Sequence, residues 1–400
     1  MPHTKEFWAI YLSVAISYLG VGLVAPLIAI VLSEHGENSF MVGLTGTAMF
    51  AAFTLASFPI GAATDRVGPK RILVWGLIVY GLSIFVFALI KVTWLFFVVR
   101  AIEGLGGAAI SVAAETMVSK LSGPNERTRR MSHYALSVGI GWAVGPIAGT
   151  LLYKIRPEVP FVVCCALSLV AAICASALIR DPGSTSHHVE GLFSVFSRRL
   201  VVPVSAGALY GFLMSSLVTL FPLYLRLQPG LNVSEVAMGA IITAVIAGTI
   251  VSQVPIGRAA DRFGKRRTLL SASTLLSIVF ALMAFHSDWR IFIATGAMVG
   301  ALAGSLYPIG LAILGGAVKR ERLGAATSLF SLAFGVGSLI GPSIAGLAMV
   351  HLGNSWLFYL PSMLTIVFVV EMITLNGIRS APERAAVHRR SDPPPTARAS

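Results

Sequence analysis

Arg100 and Glu103 stand three residues apart inside an otherwise apolar stretch, TWLFFVVRAIEGLGGAA. On a helix that spacing puts both side chains on one face. In hydrocarbon a charge near a helix centre costs about 2.5 to 3.5 kcal/mol on the insertion scale, so such residues face a protein interior and pair or meet water. A carboxyl there can take up a proton when isolated and release it when the guanidinium approaches, which is the chemistry of a proton-coupling site. A permanent structural salt bridge is the plainer reading of the same pair. Glu115 follows about 18 Å further along the run at 1.5 Å per residue. There, near the rim, it is either a second proton carrier or a partner for loop arginines. Glu371 stands alone in IVFVVEMITL, with no partner legible in the sequence.

Other chemistries find no support. The sequence has no phosphate-binding G-x-x-x-x-G-K-[ST], no G-x-S-x-G and no metal-ligand constellation, so neither an enzyme nor a cofactor site is expected. Cys164, Cys165 and Cys174 share one apolar run and read as small core residues. The pair His187 and His188 has no third ligand nearby and reads as solvated linker.

The elements that hold these residues follow from composition. Of 400 residues, 56% are hydrophobic and only 12% charged, which is too little polar side chain to cover a water-soluble surface. Apolar runs of about 20 residues fall at roughly 7 to 32, 40 to 63, 71 to 90, 93 to 118, 132 to 153 and 159 to 179. Six more fall at roughly 201 to 225, 235 to 257, 268 to 286, 289 to 316, 324 to 350 and 355 to 376. The first run is long enough to span, so a cleaved signal peptide is not expected. Runs this long exclude a barrel and predict an all-α bundle of twelve membrane helices.

About 24 of the 30 Lys and Arg fall in every second loop and at the two termini. That bias predicts cytoplasmic termini in a plasma or bacterial inner membrane. It also explains the net charge of +13 by topology and attraction to anionic lipid, so the bilayer and not nucleic acid is the expected partner. A monomer is expected. The segment 180–200 reads as a cytoplasmic linker between a first repeat, 1–179, and a second, 201–378. The tail 379–400, ending SDPPPTARAS, reads as disordered.

The chain repeats itself. FPIGAATDRVGPKR recurs as VPIGRAADRFGKRR about 196 residues later, and the same offset links Pro26-Leu27 to Pro222-Leu223 and Gly145-Pro146 to Gly341-Pro342. Copies six spans apart insert in the same orientation, a parallel repeat of the kind transporters use. In the repeated loop, glycines permit a tight turn, the basic cluster sits at the anionic face, and an Asp at a helix end favours another helix's N-terminus.

On these residues the chain resembles the transporters of the major facilitator superfamily over about residues 5 to 378, nearest to the twelve-span drug and proton antiporters. The loop pattern G-x-x-x-D-R-x-G-x-[RK]-R is met by Gly61, Asp65, Arg66, Gly68, Lys70 and Arg71, and again by Gly257, Asp261, Arg262, Gly264, Arg266 and Arg267. The resemblance implies that Asp65 faces the start of the eleventh span near residues 322–327 and Asp261 the start of the fifth near 128–132, latching the outward-open state. Gly141, Gly145, Pro146 and Gly149 resemble the antiporter motif of the fifth span, with Thr150 in place of its last glycine. Ordinary small-residue packing is the alternative there. Arg100, Glu103, Gly104 and Gly106 resemble the motif R-x-x-[QE]-G-x-G of the fourth span.

The fold so implied has a cavity between the halves. Tyr18, Met49 and Phe53 are its interior candidates from the first half, and Tyr210, Met214, Gln253, Tyr307, Phe330 and Phe334 those from the second. The function expected is proton-coupled efflux of small lipophilic compounds by alternating access, with a small-molecule substrate and protons as partners. A carrier of a polar metabolite such as a sugar, organic acid or siderophore is the alternative, and a nontransporting membrane sensor a more distant one.

Overall fold

A computed structural model describes residues 4–90, 92–122, 126–180, 197–228, 231, 233–286, 288–318 and 323–390. Among them are twelve spans long and apolar enough to cross a membrane, and no strand. The first half holds α1 (Thr4–Glu34), α2 (Ser39–Val67), α3 (Pro69–Phe87), α4 (Thr93–Leu121), α5 (Arg127–Ile155) and α6 (Val159–Leu178). The second holds α7 (Val201–Leu227), α8 (Glu235–Phe263), α9 (Lys265–Met283), α10 (Trp289–Ala303), α11 (Leu306–Ala317), α12 (Leu323–Leu352) and α13 (Trp356–Arg390). Together α10 and α11 make the tenth span. A turn at residues 304–305 separates them, ahead of Pro308, which has no N–H to give the Gly304 carbonyl.

The repeat is visible in local chemistry. Asn38 Oδ1 caps α2 by accepting from the Met41 N–H at 3.0 Å, and Ser234 Oγ caps α8 from Ala237 at 3.3 Å. Pro26, Pro59 and Pro146 lie inside α1, α2 and α5, and Pro222, Pro255 and Pro342 inside α7, α8 and α12. The α2–α3 and α8–α9 turns pivot on Gly68 (φ 96°) and Gly264 (φ 92°), a backbone region that strains any residue with a Cβ. Packing repeats too. In one half α1 packs on α5, α2 on α4 and α3 on α6; in the other α7 packs on α12, α8 on α10 and α9 on α13. Between the halves α2 meets α12 and α5 meets α8, pairs that exchange when the halves are swapped. An axis along the membrane normal requires that exchange.

Outward faces carry Trp75, Trp94, Ile173, Phe285 and Val367, all well exposed, an apolar girdle that only lipid can cover. Inside the first half, α5 lies directly on α1. Gly145 sits so close to Gly22 that a Cβ would stand 2.5 Å from the Gly22 Cα, and a Cβ at Gly141 or Gly149 would overlap the backbone carbonyls of Ala15 and Leu23. Gly145→Val is therefore expected to cost roughly 1–3 kcal/mol or more of stability. Thermal unfolding of the purified variant checks this, and an unchanged midpoint would show that the helices part without cost.

The last helix runs on to Arg390, into the segment expected to be a disordered tail; residues 391–400 lie outside the described residues. So do residues 181–196 of the linker, including His187 and His188. A short 3-10 turn, Arg198–Leu200, leads into α7.

Candidate functional site

The two halves close on each other at one face and part at the other. Away from the basic turns, Thr47 Oγ1 donates to the Leu339 carbonyl at 2.7 Å and lies 2.7 Å from Ser343 Oγ, joining α2 to α12. Thr243 Oγ1 donates to the Ala143 carbonyl at 2.9 Å, joining α8 to α5. Gly43 packs against the Pro342 carbonyl, and Gly239 against Thr150 and the carbonyl of Pro146. Toward the basic turns such contacts continue only as far as Thr54 against Gly335 and Ile250 against Gly139. Residues 47–63 of α2 bury no side chain, Val251 of α8 is 74% exposed, and nothing lies within 4 Å of a Cβ built on Gly61 or Gly257. A cleft between the halves therefore opens toward the face that carries the Asp65 and Asp261 turns.

Glu115 is exposed in that cleft. It accepts a hydrogen bond from the Tyr134 hydroxyl of α5 at 3.3 Å and lies within electrostatic reach of Tyr18 in α1 and of Tyr307 in α11, across the cleft. One turn before it on α4, Ser111 Oγ lies 3.1 Å from the Tyr18 hydroxyl. The opposite wall is aromatic: Tyr210 and Tyr307 have ring centroids 5.7 Å apart, and Phe334 lies 5.8 Å from Tyr210 and 5.6 Å from Tyr307. The arrangement sets one titratable carboxyl, reachable by water, among hydroxyls and ring faces suited to lipophilic compounds.

Among the described residues, the loop arginines Arg129 and Arg130 do not pair with Glu115. Arg129 and Arg130 reach Glu126 at 3.2 and 3.5 Å instead, and the Arg130 guanidinium also stacks over Phe7, 4.2 Å from the ring centroid. Arg100 and Glu103 do pair, Nη1 to Oε2 at 2.9 Å, with side chains only 5% and 1% exposed. Their neighbours are Tyr80 of α3 and Cys164 of α6, within the first half. Glu103 does not face the cleft. Gly104 packs on the Met49 carbonyl and Gly106 on the backbone of Tyr80, which seats α4 between α2 and α3.

The other candidates divide. Tyr18, Tyr210, Tyr307 and Phe334 line the cleft, and Met49 and Phe53 are half-buried where α2 crosses α4. Phe330 is fully buried behind Tyr307, and Met214 is also in the core. Gln253 lines a small cavity of about 120 Å³ with Gly257, Asp261, Lys265 and Ser305. At the turns, Asp65 lies 3.8 Å from Lys120 of α4, on its own half. Lys265 Nζ donates to the Ala312 carbonyl at 3.2 Å and Arg266 Nη2 to that of Met372 at 2.8 Å. Arg66, Arg71, Arg262 and Arg267 are exposed and Lys70 half-buried. The motif glycines Gly141, Gly145 and Gly149 join α5 to α1, while Pro146 and Thr150 meet α8.

Three features escaped the sequence reading. Tyr134 and Ser111 flank Glu115 through tertiary packing alone. Glu371 accepts from Ser205 Oγ of α7 at 3.0 Å. Glu34, at the end of α1, bridges to Arg226 at the end of α7. One signal was available: Glu103 and Glu115 are separated by about 120° around an ideal helix, so they could not share a face, whereas Ser111 and Glu115, four apart, must.

Comparison with known proteins adds the following. The profile of the Major Facilitator Superfamily matches residues 10–240 and again 204–398. An uncharacterized MFS-type transporter of Bacillus subtilis, YfkF, is 29% identical over 361 residues, covering 88% of this chain and 91% of the relative. Multidrug resistance protein 1 of the same organism is 26% identical over 343 residues, covering 83% and 86%. Among solved structures, the nucleoside transporter NupG superposes with a TM-score of 0.81 at 12% identity, covering 92% of this chain and 99% of that one.

Proposed function

The chain belongs to the major facilitator superfamily of transporters, and from that premise we propose that it exports small lipophilic compounds from the cytoplasm in exchange for protons. The carrying observation is the cleft itself: aromatic on one wall, open at one face, and holding Glu115 hydrogen-bonded to Tyr134. The similarity to a multidrug resistance protein supports the same reading. The basic face is cytoplasmic by the positive-inside rule, so the cleft is poised to receive a compound from the cytoplasm or the inner leaflet.

Glu115 carries the exchanged proton. A compound entering between the tyrosines displaces water and the proton, and a proton arriving from the opposite face restores the neutral carboxyl. Arg100 and Glu103, already paired and sealed, hold α4 in place. The Asp65 and Asp261 turns act in the opposite state: when the basic face closes, Asp65 leaves Lys120 for the start of α12, and Asp261 approaches the start of α5. Asp65→Asn is then expected to leave membrane insertion intact and slow turnover severalfold, since an anion at a helix N-terminus is worth roughly 0.3–1 kcal/mol. Turnover equal to the wild type would remove the latch.

The test of the function is a compound screen in everted membrane vesicles with and without a proton gradient. Gradient-dependent accumulation of lipophilic compounds is expected. Accumulation of sugars or organic acids, or uptake indifferent to the gradient, would overturn the reading.

A further inference from the structure

Glu34 is the last residue of α1, where the helix dipole disfavours an anion. Its carboxylate is nevertheless engaged on both oxygens. Oε1 accepts from Nη1 and Nη2 of Arg226, each at 3.1 Å, and Oε2 accepts from the Tyr153 hydroxyl at 3.2 Å. Arg226 lies in the last turn of α7 and Tyr153 in the last turn of α5. The cluster therefore ties the ends of α1 and α5 in one half to α7 in the other, on the face away from the basic turns. The repeat does not generate it, because positions offset by 196 from Glu34 and Arg226 are Gly230 and Ile30.

We propose that Glu34, Arg226 and Tyr153 form a clasp that holds this outer face shut while the cleft is open to the basic face, and that the clasp breaks once in each transport cycle. Its parts suit that task. The Arg226 and Glu34 side chains are 34% and 43% exposed, so both charges can be resolvated when they separate. An ion pair in that setting contributes modestly, with its charge-assisted, shared geometry strengthening it somewhat. It can bias an equilibrium without locking it. The neighbouring contacts of Thr47 with Leu339 and Ser343 and of Thr243 with Ala143 close the deeper part of the same seam. The clasp lies beyond them, at the ends of α1, α5 and α7. The inference rests on the transport reading only for the statement that the face must open.

The experiment measures opening directly. Spin labels at Lys154→Cys and His351→Cys, exposed positions on the two halves at this face, report their separation in the full chain in lipid nanodiscs, with Cys164, Cys165 and Cys174 replaced by Ala. Glu34→Gln and Arg226→Gln are each expected to raise the long-distance population about three- to tenfold. The exchange of Glu34→Arg with Arg226→Glu should return it toward the parent. Distributions of both single variants that superpose on the parent, or an exchanged pair that shifts by the sum of the singles, would overturn the clasp. Should a charge variant fail to fold, Tyr153→Phe carries the test. It removes one hydroxyl and should raise the open population about twofold, and an unchanged distribution there overturns the clasp as well. Because no substrate is needed, a shifted distribution in a chain that exports nothing refutes export and leaves the clasp standing.

Discussion

Glu115→Gln is expected to leave the protein folded and still able to exchange compound across the membrane, but to abolish accumulation against a gradient. Glutamine keeps the volume of the side chain and a carbonyl that can accept from the Tyr134 hydroxyl, so the packing of α4 on α5 is preserved. What disappears is the titratable proton. A gradient of about one pH unit is worth about 1.4 kcal/mol per proton, enough to sustain roughly a tenfold concentration ratio by one-for-one exchange. In vesicles the ratio should fall to near one in the variant, while exchange of labelled for unlabelled compound continues at a similar rate. A variant that still accumulates compound tenfold would show that the coupled proton resides elsewhere.

Glu103→Gln should do the reverse. The carboxylate it replaces bonds Arg100 at 2.9 Å with both side chains sealed from water, and removing one partner of such a pair strands a buried charge at a cost of about 3–5 kcal/mol. Folded yield and thermal stability are expected to fall sharply, whereas the protein that does fold should exchange protons for compound with the wild-type ratio. Replacing both partners, as Arg100→Met with Glu103→Leu, should recover most of the lost stability, because apolar side chains of similar size satisfy the same space without charge. Thermal unfolding of the three variants in one detergent decides it. A double replacement as unstable as the single would mean that the charges themselves, and not their imbalance, hold α4.

The membrane fold was legible because its signals are local and repeated. Twelve apolar runs, and landmarks such as Pro26 and Pro222 at a constant offset, need no tertiary information, and the loops flanking Gly68 and Gly264 carry their turn chemistry in their own residues. The site was legible only in part. Tyr18, Tyr210, Tyr307 and Phe334 lie at the cleft, but an aromatic in a membrane helix faces cleft, core or lipid according to its phase. Depth decides as well: Phe330, four residues before Phe334 and on the same face of α12, is covered by Tyr307 and buried. Which of Glu103 and Glu115 faces the cleft is a matter of helix phase, since the two stand about 120° apart on α4. The Glu34–Arg226 bridge was beyond reach for another reason: it joins residues 192 apart at loop ends where neither periodicity nor motif constrains the partner.

The assignment of the exchanged proton to Glu115 is tested most directly by proton release. Purified protein in weakly buffered detergent is mixed with a transported compound while a pH indicator follows the solution. The wild type is expected to release about one proton per bound molecule, Glu103→Gln the same number, and Glu115→Gln none at comparable occupancy. Equal release from wild type and Glu115→Gln would contradict the account.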